Sequence, residues 1–316
     1  MISSSAVQAA TERIAGRIRR TPVAQVDGAP FGVAGPIWLK LEYLQHAGSF
    51  KSRGMTNRIL AAAERGELPP AGVVAASGGN AALAVAYAAR ALGVPAEVFV
   101  PANTPQVKAA KLAELGAEVI QVGTEYAEAY AAAVVHAERT GALFCHAYDQ
   151  HDVVAGHGSL GVELIEQIPE GFDTVLVAVG GGGLMAGVAS ALHGSARIVA
   201  VEPETSPALH AALSAGHPVD VAVSGVAADS LGARRAGDIA YRTAVAAGVT
   251  SVLVGDQAIV DGRRLLWDEF RIAVEHGCAA VAAAVVSGAY RPSAGERMVL
   301  LLCGANTDPA DLTLTV

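Results

Sequence analysis

Short apolar runs rich in valine and isoleucine alternate along this chain with longer stretches in which apolar residues recur every three or four positions. The first long stretch, Ala6 to Arg20, predicts a helix stopped by Thr21-Pro22, and Ile37 to Glu42 (IWLKLE) alternates as a half-buried strand does. Phe50 to Arg65 is helix-compatible. It is followed by strand Gly72–Ala76, helix Gly79–Leu92, strand Ala96–Val100, helix Pro105–Leu115, strand Ala117–Val122, helix Glu125–Arg139 and strand Ala142–Cys145. Tyr148-Asp149-Gln150 reads as a crossover. Beyond it the pattern predicts helices at Val153–Gln167, Gly183–Leu192, Ser206–Ala215, Asp238–Ala247 and Asp256–Glu275, and strands at Thr174–Val179, Arg197–Glu202, Ser251–Val254 and Met298–Cys303. Short apolar strands separated by helices indicate an α/β fold: two open, mostly parallel twisted sheets with helices on both faces. The crossover suggests a large domain of residues 1–70 and 150–316 and a small one of residues 71–149.

Composition narrows the partners. With 316 residues, 52% of them hydrophobic, the chain can bury a substantial core. Its net charge of -8 disfavours nucleic acid or an anionic membrane surface as the main partner. Cys145, Cys278 and Cys303 form no disulfide framework, and the first residues lack the apolar core of a signal peptide, so a cytoplasmic protein is expected. Thr174 to Leu192 carries no charge, yet it contains Gly180-Gly181-Gly182-Gly183. Each glycine destabilises a helix by roughly 1 kcal/mol relative to alanine, so strand, turn and helix fit this stretch better than a membrane span.

The candidate chemistry starts with lysine, which is scarce. Only Lys40, Lys51, Lys108 and Lys111 occur, and Lys51 lies in Gly48-Ser49-Phe50-Lys51-Ser52-Arg53-Gly54 at a loop-to-helix junction. A neutral amine there can form a Schiff base, which a guanidinium cannot, and the helix N-terminus favours the neutral form. A surface lysine in a first helical turn would look the same. Two glycine-rich turns follow strands, where open α/β sheets bind ligands. Ser77-Gly78-Gly79-Asn80 can hold a carboxylate or can cap an ordinary helix. Gly180 to Gly183 suits a terminal phosphate; Gly181-Gly182-Gly183-Leu184-Met185-Ala186 also satisfies G-x-G-x-x-A, with Glu202 placed for a ribose, so a dinucleotide-dependent oxidoreductase stays open. The spacing of Cys145, His146, His151 and His157 fits no standard zinc pattern, and these read as crossover and core residues. Cys303 ends a strand directly before Gly304-Ala305-Asn306.

Ser49-Phe50-Lys51-Ser52-Arg53-Gly54, Ser77-Gly78-Gly79-Asn80, Gly180-Gly181-Gly182-Gly183-Leu184 and Leu302-Cys303-Gly304-Ala305-Asn306, in this order, resemble the pyridoxal-phosphate-dependent serine/threonine dehydratases of the tryptophan-synthase-β fold (fold type II). The resemblance runs from about Lys40 to the C-terminus. It implies pyridoxal 5'-phosphate bound as a Schiff base on Lys51, its phosphate seated on Gly180, Gly181, Gly182, Gly183 and Leu184, and its ring flanked by Phe50. It also implies Asn80 at the ring hydroxyl, Cys303 at the pyridine nitrogen, and Ser77, Gly78, Gly79 and Asn80 around the substrate carboxylate. The implied reaction removes the Cα proton and then the β-hydroxyl of L-serine or L-threonine, with the cofactor phosphate as acid, and ends in a 2-keto acid and ammonia. A thiol at the ring nitrogen cannot hold a pyridinium strongly, which favours elimination over transamination.

The departures are informative too. Where racemising relatives carry a serine that protonates the opposite face of Cα, this chain has Gly78. Glu202 falls where some relatives ligate a cation, but Glu204-Thr205-Ser206 does not clearly repeat their acidic pattern, so a monovalent or divalent cation is only an option. The chain ends soon after Cys303, so no regulatory domain and no feedback inhibition are expected. The partners expected are a small amino-acid substrate and a second copy in a homodimer. The alternatives are another fold-type-II lyase or a β-replacement enzyme, and, more distantly, a non-catalytic ligand-binding relative.

Overall fold

The apolar runs pair into two sheets in a computed structural model of the chain, which describes residues 1–312. In chain order the elements are α1 (Ser4–Ile14), β1 (Val23–Asp27), β2 (Pro36–Lys40), α2 (Lys51–Glu64), β3 (Val73–Ala76), α3 (Asn80–Leu92), β4 (Ala96–Val100), α4 (Gln106–Glu114), β5 (Glu118–Gln121), α5 (Tyr126–Thr140) and β6 (Leu143–Phe144). Then come α6 (His151–Gln167), β7 (Thr174–Ala178), α7 (Gly183–Leu192), β8 (Arg197–Pro203), α8 (Ala208–Ala215), α9 (Ala228–Leu231), α10 (Asp238–Ala247), β9 (Thr250–Val254), α11 (Asp256–Phe270), α12 (His276–Val286) and β10 (Met298–Leu301).

One sheet has six strands in the order β1-β2-β10-β7-β8-β9, and the other has four, β5-β4-β3-β6. Every pairing is parallel except that of β1 with β2. The central strands β7 and β10 are buried at every residue, as strands covered on both faces must be.

Besides the short helix α9, which the pattern did not predict, three elements differ from the pattern-based expectation. The first helix stops at Ile14 rather than Arg20, because Gly16 turns the chain with φ 72. Strand β1 was not anticipated, and it forms the antiparallel edge. The helix expected from Asp256 to Glu275 ends at Phe270, where Arg271 adopts φ 58, and a separate helix α12 follows. Gly277 to Val285 are all buried against α11, β7 and β8. A helix apolar on every side has no amphipathic period to read.

The start of α2 is held by buried charges. Arg53 is fully buried, with Nε 2.6 Å from Glu42 and Nη1 2.7 Å from Glu163. Lys40, also fully buried, donates to Glu163 at 2.7 Å and to the carbonyl of Thr21 at 2.8 Å. Two cations and two carboxylates thereby tie β2, α2 and α6 together, which satisfies charges that would be costly alone. The helices themselves pack closely: a Cβ on Gly156 would lie 2.6 Å from the carbonyl of Arg53.

Candidate active site

Lys51 opens α2, and the end of β10 is stitched to the turn before it. Phe50 N donates to the carbonyl of Cys303 at 3.0 Å, and Ser49 forms an isolated bridge with Gly304. Cys303 is therefore placed beside Lys51 by backbone geometry. Lys51 Nζ donates to the carbonyl of Ala147 at 2.6 Å and lies 4.9 Å from the Phe50 ring centre. Burial of the amine lowers its pKa to about 8, against the opposing pull of Cys303 and Glu275. Desolvation is thus the leading cause of the lowered pKa.

The segment after Ala147 leads to the glycine run. A Cβ on Gly181 would stand 2.4 Å from the Tyr148 ring, and one on Gly183 would stand 2.6 Å from the Tyr148 carbonyl. His146 fixes this segment: its Nδ1 accepts the amides of Tyr148 at 3.2 Å and Asp149 at 2.9 Å. Gly180 to Gly183 follow β7 and lead into α7, with Gly182 at φ 84 and no side chain capping the helix. The first N–H groups of α7, from Gly183 and Leu184, have no carbonyl one turn back, and this is the arrangement in which a helix start takes a phosphate.

Asn80 begins α3 and reaches into the other sheet's elements. Its Nδ2 lies 2.9 Å from both oxygens of Glu275, while its Oδ1 accepts from Asn306 Nδ2 at 2.7 Å. Asn306 N also donates to Glu275 at 2.8 Å, and Asn306 Nδ2 to the carbonyl of Ala47 at 2.7 Å. Burial pushes the Glu275 carboxyl up, and the Asn80 and Asn306 hydrogen bonds oppose that rise. Ser77 Oγ accepts the amide of Gly79 at 3.2 Å. Cys303, 5% exposed, is held as a thiol well above its ordinary pKa, first by a hydrogen bond with Cys278 and then by burial.

Lys51, Phe50, Cys303, Asn80 and, through Ala147-Tyr148, the glycine run are brought to one place; Ser77 and Gly78 are held by contacts within the smaller sheet's loops. Sequence reasoning missed Glu275, Ala147 and Tyr148. Asn306 stood inside the quoted motif without a role. Glu275 acts on a residue 195 positions away, and no local signal marks such a partner.

Glu202 is fully buried, which removes the ribose contact that a dinucleotide site needs. Its carboxylate accepts the amides of Leu209 and His210, each at 2.7 Å, at the start of α8. Burial pushes it up to about 7, and those two amides pull it back. Among the described residues no group of three His, Cys, Asp or Glu could hold a metal ion. His157 is buried with neither ring nitrogen partnered, and Cys145 is a buried free thiol. No helix among the described residues is long and apolar enough to cross a membrane.

The residues present fit pyridoxal phosphate. A desolvated primary amine, an uncapped glycine-rich helix start and a neutral thiol at a strand end match the aldehyde, the phosphate and the weakly basic ring nitrogen.

Comparison with known proteins agrees with this chemistry. The family pattern described as pyridoxal-phosphate dependent enzyme matches residues 14–304. The chain is similar to the L-threonine ammonia-lyase of Geobacter sulfurreducens, 34% identical over 100% of this chain and 78% of that protein. It is also similar to the phenylserine dehydratase of Ralstonia pickettii, 36% identical over 97% of this chain and 94% of that one. Among solved structures, maize serine racemase superposes with a TM-score of 0.90 at 30% identity, covering 98% of this chain and 95% of that one.

Proposed function

The chain belongs to the pyridoxal-phosphate-dependent enzyme family, and we propose that within it the protein is a dehydratase that converts a hydroxyamino acid, L-serine or L-threonine, to the 2-keto acid and ammonia. The observation that carries this reading is the Lys51 amine, with its pKa lowered to about 8 by burial, beside a thiol rather than a carboxylate at Cys303. Relatives named threonine ammonia-lyase and phenylserine dehydratase support the reaction class.

The cofactor, when bound, supplies the carbonyl that joins an amine and the electron sink that makes a Cα proton removable. Lys51 is the residue that would hold it and, once displaced by the substrate amine, would take the Cα proton; a neutral amine near working pH suits a general base. Gly180 to Gly183 and Leu184 would take its phosphate on backbone N–H groups, with Phe50 beside the ring. Asn80, pinned by Glu275 and Asn306, would present a fixed amide to the ring hydroxyl. Cys303 would offer the ring nitrogen a neutral partner, which leaves that nitrogen unprotonated and favours early loss of the β-hydroxyl. Ser77, Gly78 and Gly79 would receive the substrate carboxylate. The cleft would lie between residues 71–149 and the remainder, in a cytoplasmic homodimer.

A serine racemase is the nearest competing reading, since such an enzyme shares the fold. Gly78 weighs against it by offering no side chain as a second proton carrier. A keto-acid assay over L-serine, L-threonine and 3-substituted serines, run beside a D-serine assay, tests the proposal. Faster conversion of L- to D-serine than keto-acid formation would overturn it.

A further inference from the structure

Strands β3 and β4 are parallel neighbours, with Ala76 opposite Phe99, so the loops that follow them emerge side by side at the C-terminal edge of the smaller sheet. The first loop is Ser77 to Asn80. The second carries Thr104, whose amide donates to the carbonyl of Pro101 at 3.0 Å. A Cβ built on Gly78 would have Thr104 Cγ2 at 3.6 Å and Thr104 Oγ1 at 3.8 Å as its nearest neighbours. Gly78 is not at positive φ. Glycine at 78 is therefore not demanded by the backbone; it makes room, and the side chain bordering that room is Thr104.

In this loop the Gly79 backbone amide is turned onto Ser77 Oγ, and the Asn80 side-chain amide is committed to Glu275. The Thr104 hydroxyl, by contrast, has no partner among the described residues. Lys108, one turn further on, is close enough for its charge to act weakly on the buried Glu275 carboxyl.

We propose that Thr104 is a substrate-binding residue whose hydroxyl completes the carboxylate site formed by Ser77, Gly78 and Gly79. The proposal rests on the dehydratase reading for its substrate. A hydrogen bond to a charged group is worth about a factor of ten in binding.

The test uses the full-length holoenzyme with Thr104→Val and Thr104→Ser. Two quantities are read: KM for L-serine or L-threonine, and the dissociation constant of L-alanine, which has the same carboxylate and no β leaving group, from the change in the cofactor's visible absorption. Thr104→Val should weaken both by about tenfold, with kcat and the cofactor band little changed, and Thr104→Ser should stay within about twofold of the parent. Unchanged binding in Thr104→Val, or equal loss in both variants, overturns the proposal, the latter because packing alone would then explain it. If the parent protein forms no keto acid from any hydroxyamino acid, the dehydratase reading fails, and the L-alanine measurement still decides Thr104.

Discussion

Asn80 and Glu275, 195 residues apart, meet side chain to side chain, with Asn80 Nδ2 at 2.9 Å from each carboxylate oxygen. The same carboxylate lies near enough to Lys51 to favour its ammonium form. One buried group thus holds the amide in place and partly opposes the lowering of the amine's pKa by burial.

That double role gives a pH prediction. Burial has lowered Lys51 to about 8, so the reactive neutral amine grows as pH rises through that value, and the rate at which cofactor joins the apo-protein should rise with it. Glu275→Gln removes a carboxylate that stabilises the ammonium, so the midpoint should move to lower pH. Stopped-flow absorbance of reconstitution at a series of pH values measures both; an unmoved or raised midpoint in the variant counts against the assignment.

Lys51→Ala should eliminate covalent cofactor attachment and reduce keto-acid formation by about a thousandfold or more, within the range for loss of a general base. Some cofactor should still bind through the glycine run. Ordinary turnover in this variant would remove Lys51 from the chemistry.

Although Lys51 is nearby, the hydrogen bond with Cys278 and burial hold the Cys303 thiol well above the ordinary range. Cys303→Ser should keep activity within about tenfold, the loss of roughly one neutral hydrogen bond. Cys303→Asp should shift the visible spectrum and impair elimination by favouring a protonated ring nitrogen. A Cys303→Ser enzyme as inactive as Lys51→Ala would show that the thiol does more than tune.

Gly78→Ser can be accommodated, because the nearest atom to a new Cβ is 3.6 Å away and the residue is not at positive φ. The added hydroxyl should introduce measurable racemisation of L-serine that the parent lacks. Chiral chromatography of the D-serine formed reports it. Comparable D-serine formation by the parent would mean that another acid already serves that face.

The buried charges behind Lys51 should be expensive to break. Arg53→Met leaves Glu42 and Glu163 short of their shared cation, so stability should fall by about 3–5 kcal/mol. Urea unfolding measures it, and a change under 1 kcal/mol would mean that water or Lys40 compensates.

The alternation of β-branched runs with longer amphipathic stretches was enough to specify an α/β chain with parallel sheets, because strand and helix periods are local properties of consecutive residues. The same holds for the turns after β3 and β7 and for the Lys51 junction, each of which shows its chemistry within a few residues. Helix α12 escaped because Gly277 to Val285 are apolar on every side, and burial rather than periodicity makes them a helix. Strand β1 exists only because β2 is there to pair with it. What tertiary structure alone decided is which distant groups meet: Glu275 with Asn80, Ala147 with Lys51, Tyr148 with Gly181, and Thr104 with the space beside Gly78. These pairs are set by how the two sheets and their loops pack, and side-chain contacts across such separations leave no mark on the sequence near either partner.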